Sequence, residues 1–206
     1  MIRRPLPAAL LCCLLLLACD GGSPPNRLEV SLGLLSTAIP ASPTPQLTAS
    51  PTPPPTITPV PAGYLEASAL AAYMNEANSL VSEARAAEVD YLNNSGNVAE
   101  FADVFARRND FIKVSDAFVV KLDDVLARYA KLLPPERARH YHDLTFARLS
   151  EVRSSTSDLR QGIANDSIDL WNSGVSRQEK INTLLKQQNA EYLLVVGYIN
   201  ANIGGR

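Results

Sequence analysis

The sequence predicts an all-α fold, an up-down-up-down antiparallel four-helix bundle behind a disordered Pro/Thr/Ser-rich tether. Of the 15 prolines, 11 lie between Pro24 and Pro61, and Pro134 and Pro135 are the only ones that follow. After Pro61 the chain is rich in Ala, Leu, Glu, Arg and Asp, and its apolar residues recur every three to four positions. The same region contains no run that alternates apolar and polar residues as a strand does.

Four segments of residues 63–206 carry the helical period. The connections between them are short, so consecutive helices are expected to run antiparallel. An apolar spacing near 3.5 residues favours the shallow crossing angle of a left-handed bundle. The predicted helices are Tyr64 to Asn93, Val98 to Leu133, Pro135 to Ser173 and Arg177 to Ile203.

Helix-start and helix-stop residues mark the same divisions. Ser95-Gly96 is expected to end the first helix and Gly174 the third, because glycine is common just beyond a helix C-terminus. Pro135 suits the first turn of the third helix, where no N–H is needed. Two patterns typical of capping boxes open the second and fourth helices. They are Asn97 with Glu100 and Ser176 with Glu179.

Residues 1–18 have the order of a secretory signal peptide. Arg3 and Arg4 form a basic start, and an apolar run follows from Ala8 to Ala18. That run of about 11 residues is well short of the ~20 that a helix needs to cross a bilayer. The alternative is a membrane anchor that is not cleaved.

The end of this leader carries a more specific motif. Leu16-Leu17-Ala18-Cys19 resembles the lipobox of bacterial lipoproteins. The resemblance implies that Cys19 receives a diacylglycerol, that the leader is cut before it, and that the new amine can be acylated. Two or three acyl chains anchor a protein stably where one is marginal. The expected location is a bacterial membrane, on its extracytoplasmic side. Asp20 is a retention signal for the inner membrane in some double-membraned bacteria, so the choice of membrane stays open.

Residues 19–62 are predicted to be a lipid-anchored linker. Their Pro/Thr/Ser tracts cannot form a core and favour extended polyproline II. From Pro40 to Ala62 the chain can span up to about 70 Å at ~3.1 Å per residue. Arg27 to Ile39 is more apolar. This segment either lies on the membrane or the domain, or docks as a strand on a partner.

Charge and cysteine content exclude several classes of protein. The chain has 19 Lys and Arg against 21 Asp and Glu, so it lacks the basic surface of a nucleic-acid-binding protein. Its three cysteines, Cys12, Cys13 and Cys19, precede the folded part, which excludes a disulfide scaffold or a thiolate zinc site. No Glu-x-x-His pair, haem-attachment motif, phosphate loop or nucleophile elbow occurs. The sequence therefore predicts no cofactor, and its motifs identify no catalytic residue.

The two histidines do not form a joint metal site on a helix. His140 and His142 are two positions apart, which is ~200° around a helix, so they face opposite sides. His140 is expected at the surface and His142 at the edge of the core. A metal site that uses one of them with other residues remains the alternative.

Turn counting places four polar residues on the apolar stripes. They are expected to form a buried cluster in one half of the bundle, because a buried charge needs partners. Either the cluster fixes helix register, or its side chains extend to solvent, or it lines a pocket for a small ligand. Its members are Glu88, Arg108, Asp166 and Gln188.

These features favour a membrane-tethered, non-enzymatic interaction or scaffold module with an envelope protein as its partner. The second hypothesis is an extracytoplasmic protein that binds a small ligand or a metal. An enzyme of unrecognised type is the third. Nothing in the sequence fixes the oligomeric state.

Overall fold

A computed structural model describes residues 62–96 and 100–203. About nine tenths of these residues are helical, and none of them forms a strand, which confirms the all-α class. The signal peptide, Cys19, residues 20–61 of the linker and Asn97 lie outside the described residues, whereas Ala62 already belongs to the first helix. The helices are α1 (Ala62–Ser95), α2 (Phe101–Phe105), α3 (Arg108–Tyr129), a 3₁₀ turn (Glu136–Ala138), α4 (Arg139–Ala164), α5 (Ile168–Ser176) and α6 (Gln178–Ile203).

The long helices surround a common core. α1 packs against α3 and α6, and α4 packs against α3, α5 and α6. Fully burying one large apolar side chain contributes roughly 1.5–3 kcal/mol. The core is continuous across the helices. Its largest buried side chains include Leu70, Leu122, Tyr129, Tyr141, Leu149 and Ile163.

Exposed ion pairs show the relative direction of α3 and α4. Arg153 pairs with Asp123 at 2.9 Å, and Arg160 pairs with Asp116 at 2.8 Å. Residue numbers rise along α4 as they fall along α3, so the two helices run in opposite directions. Such exposed pairs contribute little to stability, up to about 1 kcal/mol each.

The second predicted helix is interrupted near its start. Arg107 leaves helical geometry with φ −116° and ψ 28°, and separates the short α2 from α3. Its guanidinium lies over Gly96, where a β-carbon would sit 2.4 Å from an Arg107 nitrogen. Gly96 has a φ of +70°, a conformation that residues with a side chain rarely adopt, so the backbone requires glycine here, while the exposed Arg107 side chain could move aside.

The third predicted helix ends earlier than the sequence indicated. α4 stops at Ala164, and Asp166 has a φ of +53°. The amide of Ser167 donates back to the carbonyl of Gly162 at 2.8 Å, the six-to-one bond of a Schellman motif. Asp tolerates this left-handed position better than most residues, because its short polar side chain can hydrogen-bond locally.

Gly174 does not end a helix, contrary to the sequence expectation. It lies inside α5, where its carbonyl accepts a hydrogen bond from Ser155 Oγ of α4 at 2.8 Å. A β-carbon at Gly174 would lie 2.7 Å from Leu159. Ser176 is no N-cap either, because it is the last residue of α5 and donates to the Ser173 carbonyl.

α5 and α6 together lie along α4 in the opposite direction. Ser173 contacts Asp158, Lys180 contacts Glu151 and Tyr192 contacts Tyr141. The reversal of the chain therefore lies at residues 165–167 rather than near 175. This shift of about nine residues changes which side chains of the third and fourth predicted helices lie at the same level.

Three side chains join the two ends of the helical part. Arg137 Nε donates to Glu66 at 3.0 Å, and the Tyr198 hydroxyl donates to the same carboxylate at 2.6 Å. The Arg137 guanidinium also lies over the Tyr198 ring at 4.0 Å. The start of α1 is thus fixed beside the end of α6.

Candidate functional site: an internal polar layer and an external apolar stripe

A buried arginine defines a polar layer inside the core. Arg148 of α4 is 8% exposed, and its Nε donates to the Gln188 Oε1 of α6 at 2.8 Å. Gln188 itself is 4% exposed. An arginine in this position is uncommon, because long charged side chains are almost never fully buried without a partner. The polar layer comprises Glu88, Tyr129, Tyr141, Arg148 and Gln188, from all four long helices.

Electrostatics in the polar layer oppose the burial of Arg148. Burial lowers the pKa of the guanidinium, while the negative charge of the half-buried Glu88 raises it. Arginine nevertheless stays protonated in proteins. The layer therefore holds a positive charge that is hydrogen-bonded to the Gln188 amide, attracted by Glu88 and repelled by Arg85.

A second group of polar side chains adjoins the layer. The Tyr73 hydroxyl lies 2.9 Å from His142 Nδ1, and the Tyr129 ring stacks on the imidazole with centroids 4.7 Å apart. The Tyr141 hydroxyl donates to Asn78 at 3.2 Å. Burial raises the pKa of Tyr141 to about 12, and it also raises the pKa of Tyr73. Both phenols are protonated at neutral pH, so neither acts as a base there.

His142 gives the fold a predictable dependence on pH. Burial lowers its pKa from the ordinary value of 6.5, since the neutral ring is favoured between Tyr73 and Tyr129. The folded pKa lies below the unfolded pKa, so the stabilisation is complete above pH 6.5. It is lost as the pH falls from there through the folded pKa, because the unfolded chain binds the proton more readily. We expect the free energy of unfolding, measured in denaturant, to fall between pH 7.5 and pH 5.

Two substitutions separate this effect from other titrations. His142→Phe should flatten the decrease between pH 7.5 and pH 5. His140→Gln should leave the part due to His142 in place, because His140 is exposed and contacts Glu191 at 3.0 Å. An unchanged pH dependence in His142→Phe would contradict the assignment.

The structure separates the four residues that the sequence grouped into a buried cluster. Arg108 and Asp166 are both exposed, so their predicted burial is wrong. Arg108 donates to the Ala164 carbonyl at 2.9 Å, and Asp166 forms the left-handed turn after α4. Glu88 is half-buried and Gln188 is buried, and these two belong to the polar layer around Arg148.

The error has a physical cause in the helix breaks. The predicted burial depends on continuous second and third helices. The second predicted helix is interrupted at Arg107, and the third ends at residues 165–167. Arg148 was missed, although the signal was present. It lies seven residues after Tyr141 and four before Val152, and both of these were placed on the apolar stripe.

The histidines lie where the sequence placed them. His140 is exposed, and His142 is at the edge of the core. Within residues 62–96 and 100–203, no three His, Cys, Asp or Glu side chains come close enough to hold a metal ion.

An apolar stripe lies on the outer face of α6. Leu193 and Leu194 are 69% and 67% exposed. With three small exposed residues they lie within about 100° of the helix circumference, opposite the buried Val195 and Ile199. No neighbouring atom lies within 4 Å of a β-carbon built on Gly197. The α6 stripe consists of Ala190, Leu193, Leu194, Gly197 and Ala201.

A groove of about 330 Å³ lies between α1 and α3. Its walls include Tyr91 and Phe118, whose rings stack with centroids 4.7 Å apart. Asp90 and Lys121 lie at its rim and pair at 3.7 Å. The Tyr91 hydroxyl is buried beside that of Ser115; burial raises the pKa of Tyr91 to about 12, while the interaction with Ser115 opposes the shift.

Comparisons with known proteins identify no relative of this chain. No family model matches it, and neither the curated proteins nor the solved structures give a match. None of the helices over residues 62–96 and 100–203 has both the length and the apolar character that crossing a bilayer requires.

Proposed function

We propose that the protein is a lipid-anchored, extracytoplasmic lipoprotein whose helical domain acts as a non-enzymatic interaction or scaffold module. The α6 stripe is the observation that carries the domain's role. Isolated exposed apolar side chains are ordinary, whereas a contiguous apolar face on a folded domain is typical of an interaction site. Leu193 and Leu194 are adjacent and largely exposed, and small residues on either side of them let another chain approach closely.

The anchoring part of the proposal rests on the sequence. The leader and Leu16-Leu17-Ala18-Cys19 support lipidation at Cys19 and export across a bacterial membrane. The Pro/Thr/Ser-rich composition of residues 19–62 supports a disordered, extended tether that presents the domain away from the bilayer.

The proposed domain is an up-down-up-down antiparallel four-helix bundle. Its four positions are α1, α3, α4, and α5 with α6 as one interrupted helix. Packing of α1 on α3 and α6, and of α4 on α3 and α6, supports this arrangement. The Arg153–Asp123 and Arg160–Asp116 pairs support the antiparallel direction of α3 and α4.

Site-specific photocrosslinking in intact cells tests the interaction proposal. A photoreactive residue replaces Leu194 in one variant and Val120 of α3 in a matched control, since these side chains are 67% and 68% exposed. We expect Leu194 to give a discrete adduct with one envelope protein, and Val120 to give none. Equal or absent adducts at the two positions would contradict a binding face on α6.

The groove between α1 and α3 favours the second candidate function, binding of a small ligand. Its volume lies at the lower end of the ~300–1,000 Å³ of known ligand pockets. The stacked Tyr91 and Phe118 rings beside the Asp90–Lys121 pair are the specific observation that favours it, because ligand pockets combine aromatic walls with a few polar groups. Lys121→Ala should then change ligand affinity in a thermal-shift screen of small molecules while leaving the fold intact, since Lys121 is exposed at the rim.

A further inference from the structure

We propose that the apolar segment Arg27–Ile39 of this same chain occupies the α6 stripe and is displaced when an envelope partner binds. The inference rests on the proposed function, because it names what covers the same face when the partner is absent. Three observations support the segment as the occupant: its spacing, the place where the chain enters the domain, and the size of the stripe.

The segment and the stripe share one spacing. Leu28, Leu32, Leu35 and Ile39 recur at intervals of four, three and four residues. Positions of the stripe recur at the same intervals, and they carry Ala190, Leu194, Gly197 and Ala201. A helix formed by the segment would therefore present large aliphatic side chains against mostly small ones. Small residues let two helices approach closely, and ridges of equal period interdigitate.

The chain enters the domain at the end of the same helix. A β-carbon on Gly63 would lie 2.7 Å from Asn202 Oδ1, so α1 begins in contact with the last turn of α6. From Asn202 to Leu194 is eight residues, or about 12 Å along the helix. Residues 40–61, which join the segment to α1, could span up to about 70 Å, which is long enough to loop back to the stripe. The tether would then reach its extended form only when the segment is displaced.

The size of the stripe favours a tethered occupant over a second copy of the chain, or over any other free molecule that contacts the stripe alone. An envelope partner that displaces the segment therefore needs contacts beyond the stripe. A standard interface buries about 800 Å² per partner and involves ~20–30 residues on each side. The α6 stripe has five residues. A segment joined to the domain by the same chain binds as if at up to roughly millimolar concentration, so a small surface suffices.

Charge does not oppose this contact. Between Ala190 and Ile203 the only charged residue is Glu191, which is paired with His140 on the side of α4. Within the segment, Arg27 and Glu29 carry opposite charges near one end, and residues 30–39 carry none. Docking would therefore bury aliphatic side chains without desolvating an unpaired charge.

Disulfide formation in the chain from Asp20 to Arg206 tests the proposal. This chain retains the segment and every described helix, and it contains no native cysteine. Leu32→Cys is combined with Leu194→Cys in one variant and with Val120→Cys in the matched control. We expect the intramolecular disulfide to form at least tenfold faster in the first variant. Adding Leu28→Ser and Leu35→Ser should return its rate to that of the control.

Other outcomes would overturn the proposal. Equal rates in the two variants would show no preference of the segment for α6, and disulfide-linked dimers would make a second copy the occupant. Ala190→Cys, on the same face, provides an independent position should Leu194→Cys fail to fold. The result is separable from the proposed function. A fast disulfide with no envelope adduct at Leu194 would contradict the envelope partner and leave the docked segment supported. An adduct without a fast disulfide would contradict the docked segment and leave the envelope partner supported.

Discussion

Replacing Gly162 with alanine is expected to destabilise the domain by about 3 kcal/mol, because overpacked sites that cannot relax lie at the high end of such costs. A β-carbon there would lie 2.7 Å from the Trp171 backbone nitrogen and 3.0 Å from both the Ser167 carbonyl and Trp171 Cα. All three are backbone atoms, so α5 has to move away from α4 as a unit. Denaturant unfolding of the variant measures the loss.

Gly197 provides the matched control. It also lies within a long helix, but nothing lies within 4 Å of its would-be β-carbon. Gly197→Ala should stabilise the domain by about 0.5–1 kcal/mol, since glycine is a poor helix former. If the two alanine variants changed stability equally, close packing of α5 on α4 would not explain the glycine at 162.

Arg148→Ala is the second substitution with a large expected effect. It should lower the free energy of unfolding by about 3 kcal/mol, as other large-to-small substitutions in protein cores do. It leaves a cavity beside Tyr141, and it leaves the buried Gln188 amide without its 2.8 Å hydrogen bond. Arg108→Ala is the control, because Arg108 is exposed. Its expected cost is at most about 1 kcal/mol, from the hydrogen bond to the Ala164 carbonyl.

A double replacement tests why the polar layer is polar. Arg148→Met with Gln188→Leu removes both hydrogen-bonding partners and keeps most of the volume. Such replacements are often neutral or stabilising, so we expect a stability within about 1 kcal/mol of the native protein. A loss as large as that of Arg148→Ala would show that the arginine contributes through its charge and hydrogen bond rather than by filling space.

The class of the fold was predictable because helical periodicity is local. The end of α1 follows from a short-range signal, since it stops at Ser95 before Gly96. Pro135 marks the start of the third helix only approximately, because it precedes the 3₁₀ turn and α4 begins at Arg139. The reversal at residues 165–167 was not predictable from composition, because it depends on Asp166 in a left-handed conformation. Gly174 was expected to end a helix because glycine is common there, but it lies inside α5, where its lack of a side chain allows close packing on α4.

The candidate sites show the same division. Gln188 could be placed on the core side of its helix from spacing alone, and so could Arg148. The hydrogen bond between them depends on which turn of α4 lies beside which turn of α6. An error of nine residues in the position of the chain reversal changes that alignment. The α6 stripe lies on the face that remains once the contacts with α1 and α4 are known. For that reason, the exposure of Leu193 and Leu194 follows from the three-dimensional structure and not from the sequence pattern.

The measurement that tests the account most directly is the intact mass of the protein isolated from the membrane fraction of its own cells. Lipid anchoring predicts a chain that begins at Cys19 and carries the mass of a diacylglycerol, with or without a further acyl chain. Cys19→Ser should abolish this species and release the protein from the fraction that membranes retain. A protein that begins at another residue, or one without lipid, would contradict the proposal of a membrane-tethered module.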